Sequence, residues 1–187
     1  MVMTEQDVVQ LIASDTWMMR LLSNVQSLGL PEWCICAGFV RSKVWDHLNG
    51  FERSTPLPDV DVVYFDASNN EEWMEKEYER ILRRLAPSVP WSVKNQARMH
   101  SKNGNEPYVS TSDGLAHFPE VCTAVGAYLD ANDGVRLVAP YGIADLVHMV
   151  IRPTPYYTSK EKLRIYEQRV DTKKWDIIWD QLRIVRP

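Results

Sequence analysis

The chain has 187 residues, of which 45% are hydrophobic and 25% are charged, and its formal net charge is −4. This profile is typical of a globular protein whose single domain buries a sizeable core. The negative charge excludes a global electrostatic field for holding nucleic acid and leaves only a local basic patch for that purpose.

The cysteines and the N-terminal segment predict the compartment. Cys34, Cys36 and Cys122 contain no C-x-x-C pair, and any pairing leaves one over, which favours reduced thiols in a cytoplasmic protein. Residues 1–15 carry acids early and lack a basic segment followed by an apolar core, so we expect no signal peptide. No apolar run approaches the roughly 20 residues that a membrane span requires. We therefore expect a cytoplasmic protein that makes no contact with a membrane, of unknown oligomeric state.

The first predicted element is one long N-terminal helix. Thr4 and Asp7 have the spacing of a capping box, apolar residues recur at helical spacing over 8–28, and Gly29 with Pro31 ends the helix. The elements predicted after it are a strand over 33–37, a helix over 39–48, a buried strand over 62–65, a charged helix over 71–85, a strand over 91–95, a loop over 100–108, a short helix up to 116, a hairpin of 122–129 with 135–138, a helix over 142–152 and a helical tail from 159. This order predicts an α/β or α+β domain with a mixed central sheet flanked by helices.

Two carboxylates stand one residue apart at the head of the strand predicted over 62–65. Because side chains alternate between the faces of a strand, Asp59 and Asp61 point the same way and lie about 7 Å apart along the chain. Two anions on one face of a sheet repel each other unless a cation lies between them. The pair therefore indicates a metal site, with a solvated acidic strand end as the alternative. Asp66 has the opposite parity and is predicted to cap the next helix.

A strand that runs into a glycine and then a helix precedes this pair. Backbone N–H groups at a helix N-terminus favour a phosphate, and Gly38 lets the backbone approach it closely. Arg41 in the first turn adds a charge-assisted contact, unless it pairs with Asp46 or Glu52 on the surface. Two carboxylates beside a phosphate suit Mg²⁺, which takes few protein ligands.

This layout resembles the nucleotidyltransferase superfamily that includes DNA polymerase β and the aminoglycoside nucleotidyltransferases. More closely, it is similar to a family of bacterial nucleotidyltransferases of unassigned substrate, through the blocks GFVRSKVWDHLNG, PDVDVVYFD, WSVKNQARMH and APYGIADLV. The resemblance runs from Trp33 into the C-terminal tail. We expect a polymerase-β-like nucleotidyltransferase core over residues 1–152 and a C-terminal helical extension over 153–187 that packs on the same domain.

The resemblance implies transfer of a nucleoside monophosphate from an NTP to an acceptor. We expect a small molecule or a protein side chain as the acceptor rather than nucleic acid. Asp59 and Asp61 would be the catalytic ligands of Mg²⁺ or Mn²⁺. The residues that the resemblance implies near the β- and γ-phosphates are Gly38, Arg41 and Ser42.

Two departures from the superfamily pattern leave the activity open. Phe39 stands where many members have a second Gly or a Ser. Many members also carry a third carboxylate on an adjacent strand, where the expected positions here hold Lys94 and Asn95. We interpret Asn95 as part of the nucleotide-binding wall, with a polar strand edge as the alternative. The alternative function is a catalytically degenerate nucleotide-binding or protein-interaction module, and an RNA-directed nucleotide adder is a weaker third.

The tail combines basic and aromatic residues. These are Arg164, Tyr166, Arg169, Lys173, Lys174, Trp175 and Trp179. Such a pattern binds nucleic acid in some proteins, but it more often belongs to an amphipathic helix that packs its aromatics and solvates its charges. We favour the packed helix.

Overall fold

A mixed β-sheet of five strands lies at the centre of the computed structural model, which describes residues 3–187. In chain order its strands are β1 (Cys34–Cys36), β2 (Val60–Tyr64), β3 (Trp91–Asn95), β4 (Gly126–Leu129) and β5 (Val135–Val138). They are arranged β3-β2-β1-β4-β5, with β2 and β3 parallel and each other neighbouring pair antiparallel. The predicted mixed central sheet is confirmed.

Helices flank this sheet, as predicted. They are α1 (Glu5–Ala13), α2 (Thr16–Gln26), α3 (Gly38–Leu48), α4 (Glu72–Leu85), α5 (Gln96–Asn103), α6 (Thr111–Ala116), α7 (Ala144–Val147), α8 (Lys160–Lys173) and α9 (Trp175–Ile178). A short second sheet pairs β6 (Val150–Ile151) in parallel with β7 (Arg183–Ile184). Within residues 3–187, none of the helices combines the length and the apolar character that crossing a membrane requires.

The long N-terminal helix of the prediction is in fact two helices. The capping box at Thr4 and Asp7 is present. The helix is interrupted at Asp15, whose backbone is extended and whose Oδ1 accepts hydrogen bonds from the N–H groups of Trp17 and Met18, each at 3.0 Å. Asp15 therefore starts a second helix, because its side chain satisfies the first free N–H groups of α2.

The loop predicted over 100–108 is helical as far as Asn103. Asn95 caps α5 by accepting a hydrogen bond from the N–H of Ala97 at 3.1 Å, and Gly104 ends the helix in the left-handed conformation, with φ of 65°. Both are ordinary helix-end residues. The segment between them contains few apolar residues, so hydrophobic periodicity did not predict the helix.

The prediction of a helix over 142–152 is also wrong, because only Ala144–Val147, the α7 helix, is helical there. Met149 adopts a φ of 54°, which an α-helix does not accommodate, and the chain then continues as β6. The hydrogen bonds that β6 forms with β7, more than thirty residues later, replace those that a longer helix would have made.

The C-terminal segment contacts the rest of the chain through buried polar groups. The hydroxyl of Tyr166 on α8 donates to the carbonyl oxygens of Ile151 and Val185 at 3.0 and 2.7 Å. The expected division into a domain over 1–152 and an extension over 153–187 stays a prediction.

Asp46, buried on α3, joins three separate segments. Its carboxylate accepts hydrogen bonds from the N–H and the hydroxyl of Thr55, each at 2.7 Å, and from Nε1 of Trp179 at 2.9 Å. One side chain thus positions both the loop that leads to Asp59 and the end of α9. This pairing also explains why Asp46 is not a surface partner of Arg41.

Replacing Asp46 with alanine would leave the buried Nε1–H of Trp179 and the half-buried N–H of Thr55 without their acceptor. Because each unsatisfied buried donor costs about 1–3 kcal/mol, we expect Asp46→Ala to lower the free energy of unfolding by about 2–5 kcal/mol in urea titrations. Asp176→Ala removes an exposed carboxylate of α9 and is the matched control. Equal stability of the two variants would contradict this role of Asp46.

Candidate active site

A cavity of about 370 Å³ opens between the N-terminus of α3, the segment that enters β2, and the α8–α9 segment. The predicted site residues that line it are Gly38, Arg41, Ser42, Asp59 and Asp61. The register of the sheet explains how they meet. Cys36, the last residue of β1, lies opposite Asp61 on β2, so α3 begins beside the carboxylates.

The charge of Asp61 is poorly compensated by the protein. Burial, and then the neighbouring charge of Asp59, raise the pKa of Asp61 from 3.8 to about 6. The Ser92 hydroxyl and the ammonium groups of Lys173 and Lys94 act in the opposite direction without cancelling this effect. A carboxylate whose ionised form is disfavoured in this way gains most from a cation bound between the two acids.

The N-terminus of α3 presents backbone donors beside the same cavity. The N–H groups of Val40 and Arg41 donate to the carbonyl of Ala37, whereas those of Gly38 and Phe39 meet no backbone acceptor within residues 3–187. Ala37, which precedes the helix, holds a φ of 53° and a ψ of −117°, a conformation disfavoured for a residue with a side chain. A free helix N-terminus of this kind favours a phosphate.

Arg41 is a buried cation beside these donors. Its side chain is only 8% exposed, and its guanidinium carbon lies 4.4, 5.2 and 5.8 Å from the ring centroids of Trp175, Trp45 and Trp179. Nη2 donates to Oγ of Ser42 at 3.3 Å, while Nε is buried without an acceptor. Burial lowers the pKa of Arg41 from its usual range.

No carboxylate of residues 3–187 forms an ion pair with Arg41, so the alternative of a surface salt bridge to Asp46 or Glu52 is wrong. Contacts with aromatic rings stabilise a guanidinium only in part, by about 0.5–2 kcal/mol each. Leaving a buried charge without a counter-ion is costly. The arrangement therefore favours binding of an anion.

The C-terminal segment supplies the side of the cavity that sequence reasoning did not include in the site. Its lining residues are Arg169, Lys173, Trp175, Ile178 and Trp179. The tail was correctly interpreted as a helix that packs its aromatic residues, since Trp175 and Trp179 are buried. The basic and aromatic pattern was the available signal, but nothing local indicated that the segment reaches Asp59 and Asp61.

Asn95 lies outside this cavity. Its Oδ1 accepts hydrogen bonds from the N–H groups of Asp66 and Ala97, and its Nδ2 donates to the carbonyls of Asp66 and Asn69. All of its polar atoms thus hold the turns around β3, and we leave Asn95 out of the site. Asp66 does not cap α4 as predicted, because its Oδ1 accepts from the N–H and hydroxyl of Ser68.

The position opposite Asp61 on β3 is Ser92, rather than Lys94 or Asn95 as the sequence suggested. Lys94 instead lies 3.5 Å from the buried carboxylate of Glu75. Within residues 3–187 there is no group of three histidine, cysteine, aspartate or glutamate side chains placed to hold a metal ion. The described site is therefore a two-carboxylate site.

Comparison with known proteins identifies the class. Residues 23–184 match the model of a protein family described as nucleotidyltransferase. Because the match covers most of the chain, the protein belongs to this nucleotidyltransferase family. The resemblance inferred from the sequence is confirmed. A comparison with curated proteins gives no significant match.

Solved structures agree with this assignment. An NMR structure described as revealing a CCA-adding enzyme head domain is similar with a TM-score of 0.87 and 29% identity, over 98% of this chain and 97% of that one. A Thermotoga maritima CCA-adding enzyme complexed with tRNA is 18% identical with a TM-score of 0.53, over 99% of this chain and 43% of that one. A CCA-adding enzyme in complex with CTP is 17% identical with a TM-score of 0.56, over 98% of this chain and 43% of that one. The last two show the fold alone, and this chain spans under half of their length.

The raised pKa of Asp61 predicts a stability effect with a definite sign. Between the ordinary pKa of 3.8 and about 6, the folded state binds the proton more tightly than the unfolded state, so the charge of Asp61 costs stability as pH rises through this range. Asp61→Asn should therefore raise the free energy of unfolding at pH 7.5 by up to about 3 kcal/mol, at about 1.4 kcal/mol per pKa unit.

Urea titrations of wild type and Asp61→Asn without divalent ions measure this difference. The gain should shrink at pH 4.5, where Asp61 is protonated in the folded wild type. Asp176→Asn, at an exposed position, should show no gain at either pH. A gain that is absent at pH 7.5, or equal at both pH values, would contradict the burial of a charged Asp61.

Proposed function

We propose that the protein is a metal-dependent nucleotidyltransferase that moves a nucleoside monophosphate from an NTP to an acceptor in the cavity lined by Asp59 and Asp61. Membership of the family and the fold support NTP-dependent transfer. One observation carries the choice of site: two carboxylates and a buried guanidinium, none of which forms an ion pair within residues 3–187, line a single cavity. A metal–triphosphate complex supplies both missing charges.

The donor set fits a hard divalent cation. Two carboxylates with few further protein ligands suit Mg²⁺ or Mn²⁺, which completes its shell with phosphate oxygens and water. Asp59 and Asp61 would hold this ion. When bound, it supplies charge neutralisation at the phosphates and orients the reacting groups.

The residues of α3 would position the triphosphate. The free N–H groups of Gly38 and Phe39, the hydroxyl of Ser42 and the guanidinium of Arg41 would contact the β- and γ-phosphates. An oxygen of the acceptor attacks the α-phosphorus, the bond from that phosphorus to the oxygen bridging to the β-phosphorus breaks, and pyrophosphate leaves. Because Arg41 is already desolvated and held by aromatic rings, it stabilises the leaving charge without reorganising.

The acceptor that we propose is a small molecule or a protein side chain. The net charge of −4 supports this choice over a nucleic acid, whose phosphates the protein as a whole would repel. The CCA-adding enzymes solved in complex with tRNA and with CTP share the fold, and they make an RNA end the alternative acceptor to test.

We place the reaction in the cytoplasm. Cys34, Cys36 and Cys122 are free and buried, which is the usual condition of cysteines in a reducing compartment. The three thiols pack in the interior rather than in the site.

A second candidate function is nucleotide binding without turnover. The observation that favours it is Ser92 at the position facing Asp61, so that the described part of the chain, residues 3–187, supplies no third carboxylate there to take the acceptor's proton. In the transferase proposal that proton passes directly to water. The two candidates differ only in whether a labelled nucleotide becomes covalently attached to an acceptor.

Calorimetric titration tests the proposal. ATP, GTP, CTP and UTP are titrated with and without Mg²⁺ into wild type and into Asp59→Asn/Asp61→Asn. We expect at least one NTP to bind wild type in the presence of Mg²⁺ and to lose at least about tenfold in affinity in the double variant, since a removed charge contact costs about 1.4 kcal/mol or more. Glu71→Gln/Glu106→Gln, at two exposed positions, is the control for the loss of two charges.

The bound NTP, labelled at its α-phosphate, is then incubated with a cell extract and with RNA. Label that appears on a small molecule or a protein supports the proposed acceptor, and label on RNA supports the alternative. Binding without any transfer supports the non-catalytic candidate. If no nucleotide binds wild type with any divalent ion, the proposal is wrong.

A further inference from the structure

The C-terminal end of α8 carries two cations into the cavity. Arg169 and Lys173 are four residues apart on this helix, so they lie on one face about 6 Å apart along its axis. Both line the cavity that Asp59 and Asp61 also line. We propose that Arg169 and Lys173 bind the triphosphate of the NTP from the side opposite α3. This inference rests on the proposed function and extends the nucleotide site to the C-terminal segment.

Arg169 is held in place by a buried carboxylate. Its Nε donates to Oε1 of Glu120 at 2.8 Å, and its Nη2 lies 3.4 Å from Oε2. Glu120 is fully buried and also accepts a hydrogen bond from the hydroxyl of Thr123 at 2.9 Å. These contacts leave the Nη1 group of Arg169 available as a donor in a fixed orientation. A guanidinium fixed by its other nitrogens is suited to planar recognition of phosphate oxygens.

Lys173 lacks such a partner. Its side chain is exposed at the cavity, and it forms no ion pair with a carboxylate of residues 3–187. It lines the same cavity as the carboxylates of Asp59 and Asp61. An ammonium group that has no ion-pair partner and lines a two-carboxylate site can contact a ligand that the carboxylates bind through a metal ion.

The backbone after Lys173 maintains this placement. Lys174 adopts the left-handed conformation, with φ of 48°, ends α8 and starts α9. The chain thereby turns so that Trp175 stacks on Arg41, with 4.4 Å between the ring centroid and the guanidinium carbon. The start of α9, directly after α8, and the start of α3 are therefore in contact through two buried side chains beside the cavity.

The charges around the cavity support a triphosphate ligand. Three cations, Arg41, Arg169 and Lys173, are equal in number to the carboxylates of Asp59, Asp61 and Glu120, but of these six groups only Arg169 and Glu120 form an ion pair. Removing Lys173 would leave a net negative site in front of a polyanion. A nucleoside monophosphate carries fewer charges and would reach fewer of these cations, so its affinity should depend much less on Lys173.

The test compares Lys173→Gln with Lys160→Gln, which removes the same charge from an exposed position on the first turn of α8, about 20 Å away along the axis. Whichever of ATP, GTP, CTP and UTP binds wild type most tightly with Mg²⁺ is titrated into both variants and into Lys173→Arg, together with its monophosphate. We expect Lys173→Gln to weaken the triphosphate about tenfold and the monophosphate less than twofold. Lys160→Gln should bind like wild type, and Lys173→Arg, which keeps the positive charge, should weaken the triphosphate less than Lys173→Gln does.

The outcomes separate this inference from the proposed function. If wild type binds an NTP and Lys173→Gln binds it within twofold of wild type, the C-terminal contact is wrong and the proposed function stands. Equal weakening of triphosphate and monophosphate by Lys173→Gln would also overturn it, because that result indicates a disturbed fold rather than a lost phosphate contact. If wild type binds no NTP, both are wrong.

Discussion

Asp59, Asp61 and Arg41 line one cavity and form no ion pair within residues 3–187, and ligand binding there depends on these unpaired charges. Asp61 is ionised at neutral pH only against burial and the charge of Asp59. Arg41, a short distance along the same cavity, is desolvated among three indole rings with no carboxylate in contact. Folding alone would favour replacing such groups by apolar residues. Their presence together is explained if a metal ion and an anion are bound there.

Two other buried acidic residues, whose carboxylates are hydrogen-bonded within the protein, position the elements around this cavity. Asp46 is bound by Thr55 and Trp179, and Glu120 by Thr123 and Arg169. Asp46 joins the C-terminal segment to the loop before β2, and Glu120 joins it to the segment between α6 and β4. Acidic residues thus have two roles here. Those that are hydrogen-bonded within the protein stabilise the structure, and those without an ion-pair partner are available to a ligand.

The local parts of the site could be predicted from the sequence, and the long-range parts could not. The strand and helix starts around Gly38 and Asp61 follow from nearby residues, so five of the six proposed site residues meet in one cavity. Asn95 does not line the cavity, because its side chain caps α5 and is therefore not available to contact a nucleotide. The identity of the residue facing Asp61 depends on strand register, and the approach of Arg169 and Lys173 depends on how a distant helix packs. Neither leaves a periodic pattern in the sequence.

The most direct test of the central claim is a crystal structure with Mn²⁺ and an NTP analogue that carries a methylene group between the α- and β-phosphorus atoms. Anomalous scattering locates the Mn²⁺ independently of the rest of the density. We expect an Mn²⁺ peak at the carboxylates of Asp59 and Asp61, with the triphosphate extending from it to the N-terminus of α3. A triphosphate bound elsewhere, or Mn²⁺ that binds the protein but not these two carboxylates, would contradict it.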